Sequence, residues 1–267
     1  MTALLAAPVI GIVALASYRL RALSMSGAIG AVVTGLIVFV IGGISASVAL
    51  FAFFIFGSLL SKLPWPGGRK KSIGGSERDW KQVLANGGVP CAALLLLFAR
   101  PDLREEASML YLGAIATMFA DTSATEIGTR FGKRAINILT FKPIEPGTSG
   151  GVSAIGFAAS LAAPALITLL HYLTRGLGEL CEFQGAHWVM PLVLGGFIGA
   201  LTDSVLGASI QAKYRCGVCG KVVESHRHCG KEAVLISGVP WIGNNAVNAI
   251  ASLIGALVSL GLLYRFG

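Results

Sequence analysis

Long apolar runs without charge dominate the chain, and short segments between them carry nearly all of the charged residues. Runs of this length predict helices that cross a bilayer whose hydrocarbon core is about 30 Å thick. The pattern therefore predicts an all-α, polytopic integral membrane protein with about eight transmembrane helices, in a range of about six to eight. The predicted spans are 3–17, 27–43, 44–61, 87–99, 108–128, 148–170, 189–211 and 236–263.

The composition agrees with this prediction, since 54% of the 267 residues are hydrophobic and only 13% are charged. A soluble domain carries about 25% charged residues, so a large soluble core is excluded. No linker divides the chain, and we expect a single membrane domain, 1–267, with inner loops at 62–85 and 212–235. A removable signal peptide is the alternative for the first, short span, but the chain start lacks the basic region that such a signal needs.

The basic residues indicate the orientation of the spans. With eight spans and the N-terminus outside, the inner loops hold 17 of the 21 Lys and Arg residues. The outer loops hold the other four, Arg100, Arg104, Arg175 and Arg265. This split follows the positive-inside rule, so the inner loops are expected to face the cytoplasm or the equivalent side of an organelle membrane. The net charge of +8 therefore does not indicate binding to nucleic acid.

Two acidic residues interrupt apolar runs, and a hydroxyl residue follows each one: Asp121 with Thr122, and Asp203 with Ser204. A carboxylate inside a membrane segment costs several kcal/mol unless a partner, a metal ion or water compensates it, so such residues favour a functional role. A structural ion pair with Arg or Lys is the alternative. Glu126 lies five residues after Asp121, about 140° away around a helix, so the two are not expected to share one ion.

Polar residues gather at the inner ends of four predicted spans. The fifth and seventh spans end with them, and the sixth and eighth begin with them. This one-sided placement predicts a single polar site at the inner face. Its members at the two span ends are Asp121, Thr122, Thr125, Glu126, Asp203, Ser204 and Gln211, and those at the two span starts are residues 143–151, Asn244, Asn245 and Asn248.

Two segments could bind phosphate. In Gly147–Gly151, glycines turn backbone N–H groups outward and hydroxyls add donors at a helix start, which favours an anion site. The spacing of a Walker motif is absent, and a Pro-Gly turn with a helix cap explains the same letters. Before the fourth span, Arg78 and Lys81 could clamp phosphates and Asn86 begins a tight turn into the span; a solvated basic loop is the alternative there.

The second inner loop contains ligand types that zinc prefers. Two Cys residues have two other residues between them, and His and Cys residues follow about ten positions later. The predicted tetrahedral site uses the three Cys residues and one of the two His residues, and would be structural because it leaves no open position. The candidates are Cys216, Cys219, His226, His228 and Cys229.

Five ordered motifs resemble the integral membrane family that includes plant phytyl-phosphate kinase and archaeal and bacterial relatives. The resemblance covers 27–261, nearly the whole chain. The motifs are Gln82-Val83 with Ala85-Asn86-Gly87-Gly88, Ala120-Asp121-Thr122 with Ala124, Glu126 and Gly128, the stretch from Gly147 to Ser153, Asp203-Ser204 with Leu206-Gly207-Ala208 and Gln211, and Asn244-Asn245 with Val247-Asn248.

The resemblance implies a nucleotide-dependent kinase, with CTP as the expected nucleotide. It would convert a prenyl monophosphate, such as phytyl or geranylgeranyl phosphate, to the diphosphate. Asp121 and Asp203 would then bind Mg²⁺ and Glu126 would orient a ligand or water. Nucleotide or acceptor phosphate would be held by Arg78, Lys81, Asn86, Thr122, Thr148, Ser149, Gly150, Gly151, Ser204, Gln211, Asn244, Asn245 and Asn248.

Two other activities fit the same residues. The first is a prenol or dolichol kinase, or a lipid-phosphate cytidylyltransferase, which would need a similar acidic site. An alcohol acceptor would also need a base, and no membrane-embedded His or Lys is an evident candidate. An ion-coupled transporter would place its acids near the membrane midplane, whereas the polar segments here favour one side. The expected partners are a prenyl phosphate, a nucleoside triphosphate and the bilayer; homo-oligomer formation is left open.

Overall fold

The computed structural model describes residues 2–62 and 77–266, so the middle of the predicted inner loop 62–85 lies outside the described residues. Within these two ranges the chain is mostly helical. The helices are α1 Thr2–Arg19, α2 Met25–Lys62, α3 Trp80–Ala99, α4 Arg104–Phe131, α5 Ala154–Thr174, α6 Val189–Ser209 and α7 Asn244–Phe266, with a short 3₁₀ turn at Pro101–Leu103.

Short strands correct the all-α prediction. They lie in the two segments that connect α4 to α5 and α6 to α7, where backbone groups outside a helix must find other hydrogen-bond partners. All of the pairings are antiparallel. The first sheet has the order β2-β1-β3, from β1 Ala135–Asn137, β2 Pro143–Ile144 and β3 Gly151–Val152. The second has the order β5-β4-β8, from β4 Lys213–Arg215, β5 Val222–Val223 and β8 Val234–Ser237, and β6 Arg227–His228 pairs with β7 Lys231–Glu232.

Five of the described helices are long and apolar enough to cross a membrane, namely α2, α3, α5, α6 and α7. The predicted range of six to eight spans is not confirmed by this count. Helix α1 is not among the five, because the apolar part of it that the count covers, 7–19, is too short. Helix α4 carries too many charged and polar residues to qualify, yet it is the central helix and packs against α2, α3, α5, α6 and α7.

Helix α2 folds back on itself at Gly43, where the predicted second and third spans meet. Gly43 has a left-handed φ of 71°, and a Cβ on it would lie 2.7 Å from Gly178. Gly27 and Gly57 both lie against Arg78, although a straight helix would separate them by about 45 Å. The two arms of α2 therefore begin and end at the same end of the bundle.

Three predicted span starts shift in the structure. Helix α5 begins at Ala154 instead of 148, because Ser153 caps it by accepting from the Gly156 N–H at 3.2 Å. Helix α7 begins at Asn244 instead of 236, because 234–237 forms β8. Helix α3 begins at Trp80 instead of 87, where the Asp79 carboxylate accepts from the Gln82 N–H in a capping box.

Candidate active site

One end of the bundle collects the ends of α4 and α6 and the starts of α3, α5 and α7. A cavity of about 260 Å³ opens there, which we term the polar cavity. The structure thus brings the four predicted polar segments together. Its lining includes Arg78, Asn86, Asp121, Thr122, Thr125, Glu126, Thr148, Ser149, Gly150, Gly151, Asp203, Ser204, Gln211, Asn244, Asn245 and Asn248.

Lys81 is the predicted phosphate-binding residue that lies outside this lining. Its ammonium group sits over the Trp80 ring, 5.9 Å from the ring centroid. The helical period explains the difference, since Gln82 and Asn86 stand four residues apart on one face of α3, while Lys81 is turned about 100° away from Gln82. Gln82 lines the polar cavity and was not among the predicted site residues.

A close crossing of three helices positions the acidic pair. Gly199 of α6 and Gly255 of α7 both lie directly against Thr117 of α4, and a Cβ on either glycine would overlap the Thr117 hydroxyl. Small residues permit such close approach of helices in lipid. One turn beyond this crossing, α4 presents Asp121 and α6 presents Asp203.

The carboxyl groups of Asp121 and Asp203 are close enough to hydrogen-bond each other. The Asn248 amide lies 3.0 Å from an Asp203 carboxylate oxygen and 3.1 Å from the Asn86 amide. With its nitrogen toward Asp203 it also donates to the Asn244 carbonyl at 3.2 Å. The asparagines of α3 and α7 therefore fix one side of the acidic pair.

Glu126 faces a different neighbour, as its offset from Asp121 predicts. One carboxylate oxygen accepts from the Ser61 hydroxyl at 2.8 Å, and the other lies 3.5 Å from the Arg130 guanidinium. Arg130 also donates to the carbonyls of Leu60 and Ser61 at the end of α2. The alternative of a buried structural pair with a basic residue therefore describes Glu126, which joins α4 to α2 beside the polar cavity.

The glycine-rich segment is a tight turn that precedes α5. Gly147 and Gly150 have left-handed φ values of 90° and 81°, and Gly150 packs directly on Ala208 at the end of α6. The Gly151 N–H donates to the Thr148 carbonyl at 2.9 Å, so that amide is used within the turn. Thr148 and Ser149 of this turn nevertheless line the polar cavity together with residues at the start of α5, where the helix dipole favours an anion.

Ser149 connects this turn to the segment between α6 and α7. Its hydroxyl donates to the Glu224 carboxylate and accepts from the Gln211 amide at 3.3 Å, while Lys213 donates to its carbonyl at 3.1 Å. Burial lowers the pKa of the Lys213 ammonium group, and the Glu224 carboxylate opposes that shift. The sequence prediction missed Glu224, which lies in a loop and belongs to no helical stripe.

Arg78 stands at the junction between the polar cavity and a second cavity. Burial lowers the pKa of the Arg78 guanidinium, and the Glu126 carboxylate opposes that shift, so the group keeps its positive charge. Gln82 and Asn86 also line both cavities. The second cavity, of about 80 Å³, is otherwise almost entirely apolar and lies between α1, both arms of α2 and α3; we term it the apolar groove.

The segment between α6 and α7 brings four metal-ligating side chains together, with their ligand atoms within 4.8 Å of one another. We term them the Cys/His cluster: Cys216, Cys219, His228 and Cys229. His226 does not belong to it, because its ring packs edge-on against Tyr214 with the centroids 5.6 Å apart. Of the two candidate histidines, the structure therefore selects His228.

Comparison with known families agrees with this architecture. The profile of one family, described as integral membrane protein DUF92, matches residues 8–256, which is nearly the entire chain. The chain belongs to this DUF92 family. The resemblance recognised from the five motifs is thereby confirmed, and the DUF92 chain is an integral, multi-pass membrane protein.

Several relatives are similar to this DUF92 chain over most of its length. Protein PGR of Arabidopsis thaliana is 31% identical, over 96% of this chain and 94% of its own. An uncharacterised membrane protein of Methanocaldococcus jannaschii is 28% identical, over 96% and 92%. The chloroplastic protein VTE6 of Arabidopsis thaliana is 25% identical, over 91% of this chain and 66% of its own. No solved structure matches the chain.

Proposed function

We propose that this chain is a kinase that transfers the γ-phosphoryl group of a nucleoside triphosphate, with CTP as the first candidate, to a prenyl monophosphate. The observation that carries the proposal is the shared wall between the polar cavity and the apolar groove. A substrate with a phosphate head and a hydrocarbon tail would place each part in a cavity of matching polarity. The similarity to protein VTE6 and the motif resemblance to phytyl-phosphate kinase support the same activity.

The acceptor phosphate would bind at Arg78. A guanidinium group forms paired, charge-assisted hydrogen bonds with phosphate oxygens, and Arg78 faces both cavities. Asn86 and Gln82, on the same face of α3, supply neutral hydrogen-bonding groups beside it. The prenyl chain would then extend from this point into the apolar groove.

The acidic pair fits a divalent cation. Two carboxyl groups within hydrogen-bonding reach share a proton unless a nearby cation allows both of them to ionise. Carboxylate oxygens are the protein ligands that Mg²⁺ prefers when it also binds phosphate, so Asp121 and Asp203 would hold it. A bound Mg²⁺ ion would supply neutralisation of the charge on the transferred phosphoryl group.

The nucleotide phosphates would lie near the glycine-rich turn. Ser149, Gln211 and Lys213 surround one end of that turn, and the start of α5 adds its dipole. Since the Gly151 amide is already used within the turn, hydroxyl, amide and ammonium side chains would make most of these contacts.

The step itself needs positioning more than acid–base chemistry. An oxygen of the acceptor phosphate attacks the γ-phosphorus, the bond from that phosphorus to the β–γ bridging oxygen breaks, and the nucleoside diphosphate leaves with the electron pair. A phosphate monoester is largely ionised near neutral pH, since its second pKa is about 6, so no side chain has to remove a proton. The residues of the polar cavity would orient the two phosphates in line.

The decisive experiment combines purified full-length protein with labelled CTP, ATP, GTP or UTP and with prenyl alcohols and prenyl monophosphates. We expect a prenyl diphosphate and a nucleoside diphosphate, formed only with a monophosphate acceptor and a divalent cation. Phosphorylation of the alcohol would indicate a prenol kinase, and release of pyrophosphate would indicate a cytidylyltransferase. Absence of every product, with ion flux into proteoliposomes, would favour a transporter.

Narrowing the apolar groove should change the preference for acceptor chain length. Ala31 of α2 lines the groove, so Ala31→Phe should exclude part of the prenyl chain. Loss of two buried methylene groups costs about 1.6 kcal/mol, or about a tenfold rise in KM. We expect that rise for a long-chain acceptor and little change for a short-chain acceptor or for the nucleotide.

Val33→Phe is the matched control, because Val33 lies on the same arm of α2 and is 54% exposed. Steady-state kinetics with prenyl monophosphates of increasing length would compare the two variants. Equal KM values for long and short acceptors in Ala31→Phe would place the prenyl chain elsewhere.

A further inference from the structure

The Cys/His cluster has the dimensions of a tetrahedral metal site. The His228 Nδ1 atom lies 3.5 Å from the Cys219 sulfur and 3.2 Å from the Cys229 sulfur. Zinc bonds of about 2.3 Å to sulfur and 2.0 Å to nitrogen separate neighbouring ligands by about 3.5 Å. These two separations are therefore close to those that zinc imposes, and all four ligand atoms lie within 4.8 Å of one another.

The backbone of the cluster is shaped for such a site. The Val218 N–H points at the Cys216 sulfur from 3.4 Å, and hydrogen bonds close the turn between β4 and β5 from both sides of Cys216. Gly220 and Gly230 follow two of the cysteines with left-handed φ values of 72° and 75°. Two tight turns thus present their cysteine side chains toward one point.

The segment 213–237 lacks a core that could hold it by itself. The hydrophobic cluster in this region consists only of Tyr214 and Ala233 with the adjoining Ala212, and Val223 packs against it. A unit this small usually needs a disulfide or a metal ion to fold stably. Three sulfurs and one imidazole nitrogen are a typical zinc ligand set. A single disulfide would use only two of the three cysteines and would not involve His228.

Glu224 gives this segment a connection to the polar cavity. It follows β5, between the two cysteine-bearing turns, and its carboxylate accepts from the Ser149 hydroxyl. It also lines the polar cavity and acts electrostatically on Asp121 and Asp203. The position of a further carboxylate at the cavity therefore depends on the fold of the Cys/His segment.

We propose that the Cys/His cluster binds one structural zinc ion, and that this ion fixes the segment 213–237 so that Glu224 is held at the polar cavity. Binding releases thiol protons as the cysteines become thiolates. Four protein ligands leave no open position, so the ion would take no part in chemistry. The proposed metal site does not rest on the proposed kinase activity. Only the role of Glu224 in catalysis rests on that activity.

Metal analysis of the purified full-length protein tests the site directly. We expect about one zinc ion per chain, and loss of most of that zinc in His228→Ala and Cys219→Ser. His226→Ala is the matched control for the histidine, and Cys91→Ser and Cys181→Ser are the controls for the cysteines; all three should retain zinc. Absence of stoichiometric metal, another metal in its place, or equal zinc in His226→Ala and His228→Ala would overturn the proposal.

Two further measurements remain informative if the zinc-free variants fold poorly. Cobalt exchanged into the unmodified protein should show thiolate-to-metal charge-transfer absorption, and its absence would overturn the site. Removal of zinc by a chelator should accelerate amide hydrogen exchange in 213–237 more than in the helices. Unchanged exchange there would contradict the positioning of Glu224 by the metal, whatever the result for kinase activity. Glu224→Gln should keep its zinc while lowering phosphotransfer.

Discussion

Asp121→Asn and Asp203→Asn should each lower phosphotransfer by on the order of a hundredfold or more, because loss of one metal contact in such a site costs a few kcal/mol. Asparagine keeps the shape of each side chain but removes the negative charge. Initial rates at saturating nucleotide and acceptor would measure the effect. Raising the Mg²⁺ concentration should partly restore the rate, since the remaining carboxylate still binds the ion.

Stability measurements separate this role from a structural one. In the absence of metal, the two carboxyl groups either repel each other or share a proton, and an asparagine amide can donate to the remaining carboxylate, so neither substitution should make the protein easier to unfold. Glu126→Gln provides the comparison, because its carboxylate is held by Ser61 and Arg130, and its larger effect should be on stability. Near-normal phosphotransfer in both aspartate variants would show that the acidic pair is structural.

Arg78→Gln should weaken binding of the acceptor phosphate by about tenfold to a hundredfold, since a hydrogen bond to a charged group contributes about 1.5–3 kcal/mol. We expect the change mainly in the KM of the prenyl monophosphate, with a smaller change in that of the nucleotide. Arg78→Lys should recover part of the affinity, because it keeps the charge but loses the paired geometry.

Lys81→Gln is the control for Arg78. Both substitutions remove one positive charge from the same short stretch, but Lys81 lies over Trp80 and outside the polar cavity. Its kinetics should therefore stay close to those of the unmodified protein. Equal effects of the two substitutions would support the alternative of a basic loop that acts only through its overall charge.

Much of the site's location could be read from the chain alone. Uninterrupted apolar runs predict helices, and helix length fixes which residues lie near each end. If successive helices run in opposite directions, the end that holds Asp121 and Asp203 also holds Asn244 and Asn248. The glycine-rich turn before α5 followed from the same argument.

The pairing of individual side chains depended on packing between distant segments. Asp121 meets Asp203, while Glu126 meets Arg130 and the end of α2, because Thr117, Gly199 and Gly255 set the rotation of three helices against one another. A hydropathy pattern cannot specify that rotation, since it records only that each helix is apolar.

Local sequence determines the hydropathy of each segment, the helix ends and the spacing of possible ligands, because these depend on neighbouring residues. Only the tertiary structure decided that α2 turns back at Gly43, that Arg78 faces two cavities while Lys81 faces neither, and that His228 joins the cysteines. It alone brought Glu224 to Ser149. These contacts join residues far apart in the chain, and the free energy that selects them comes from packing that no single segment contains.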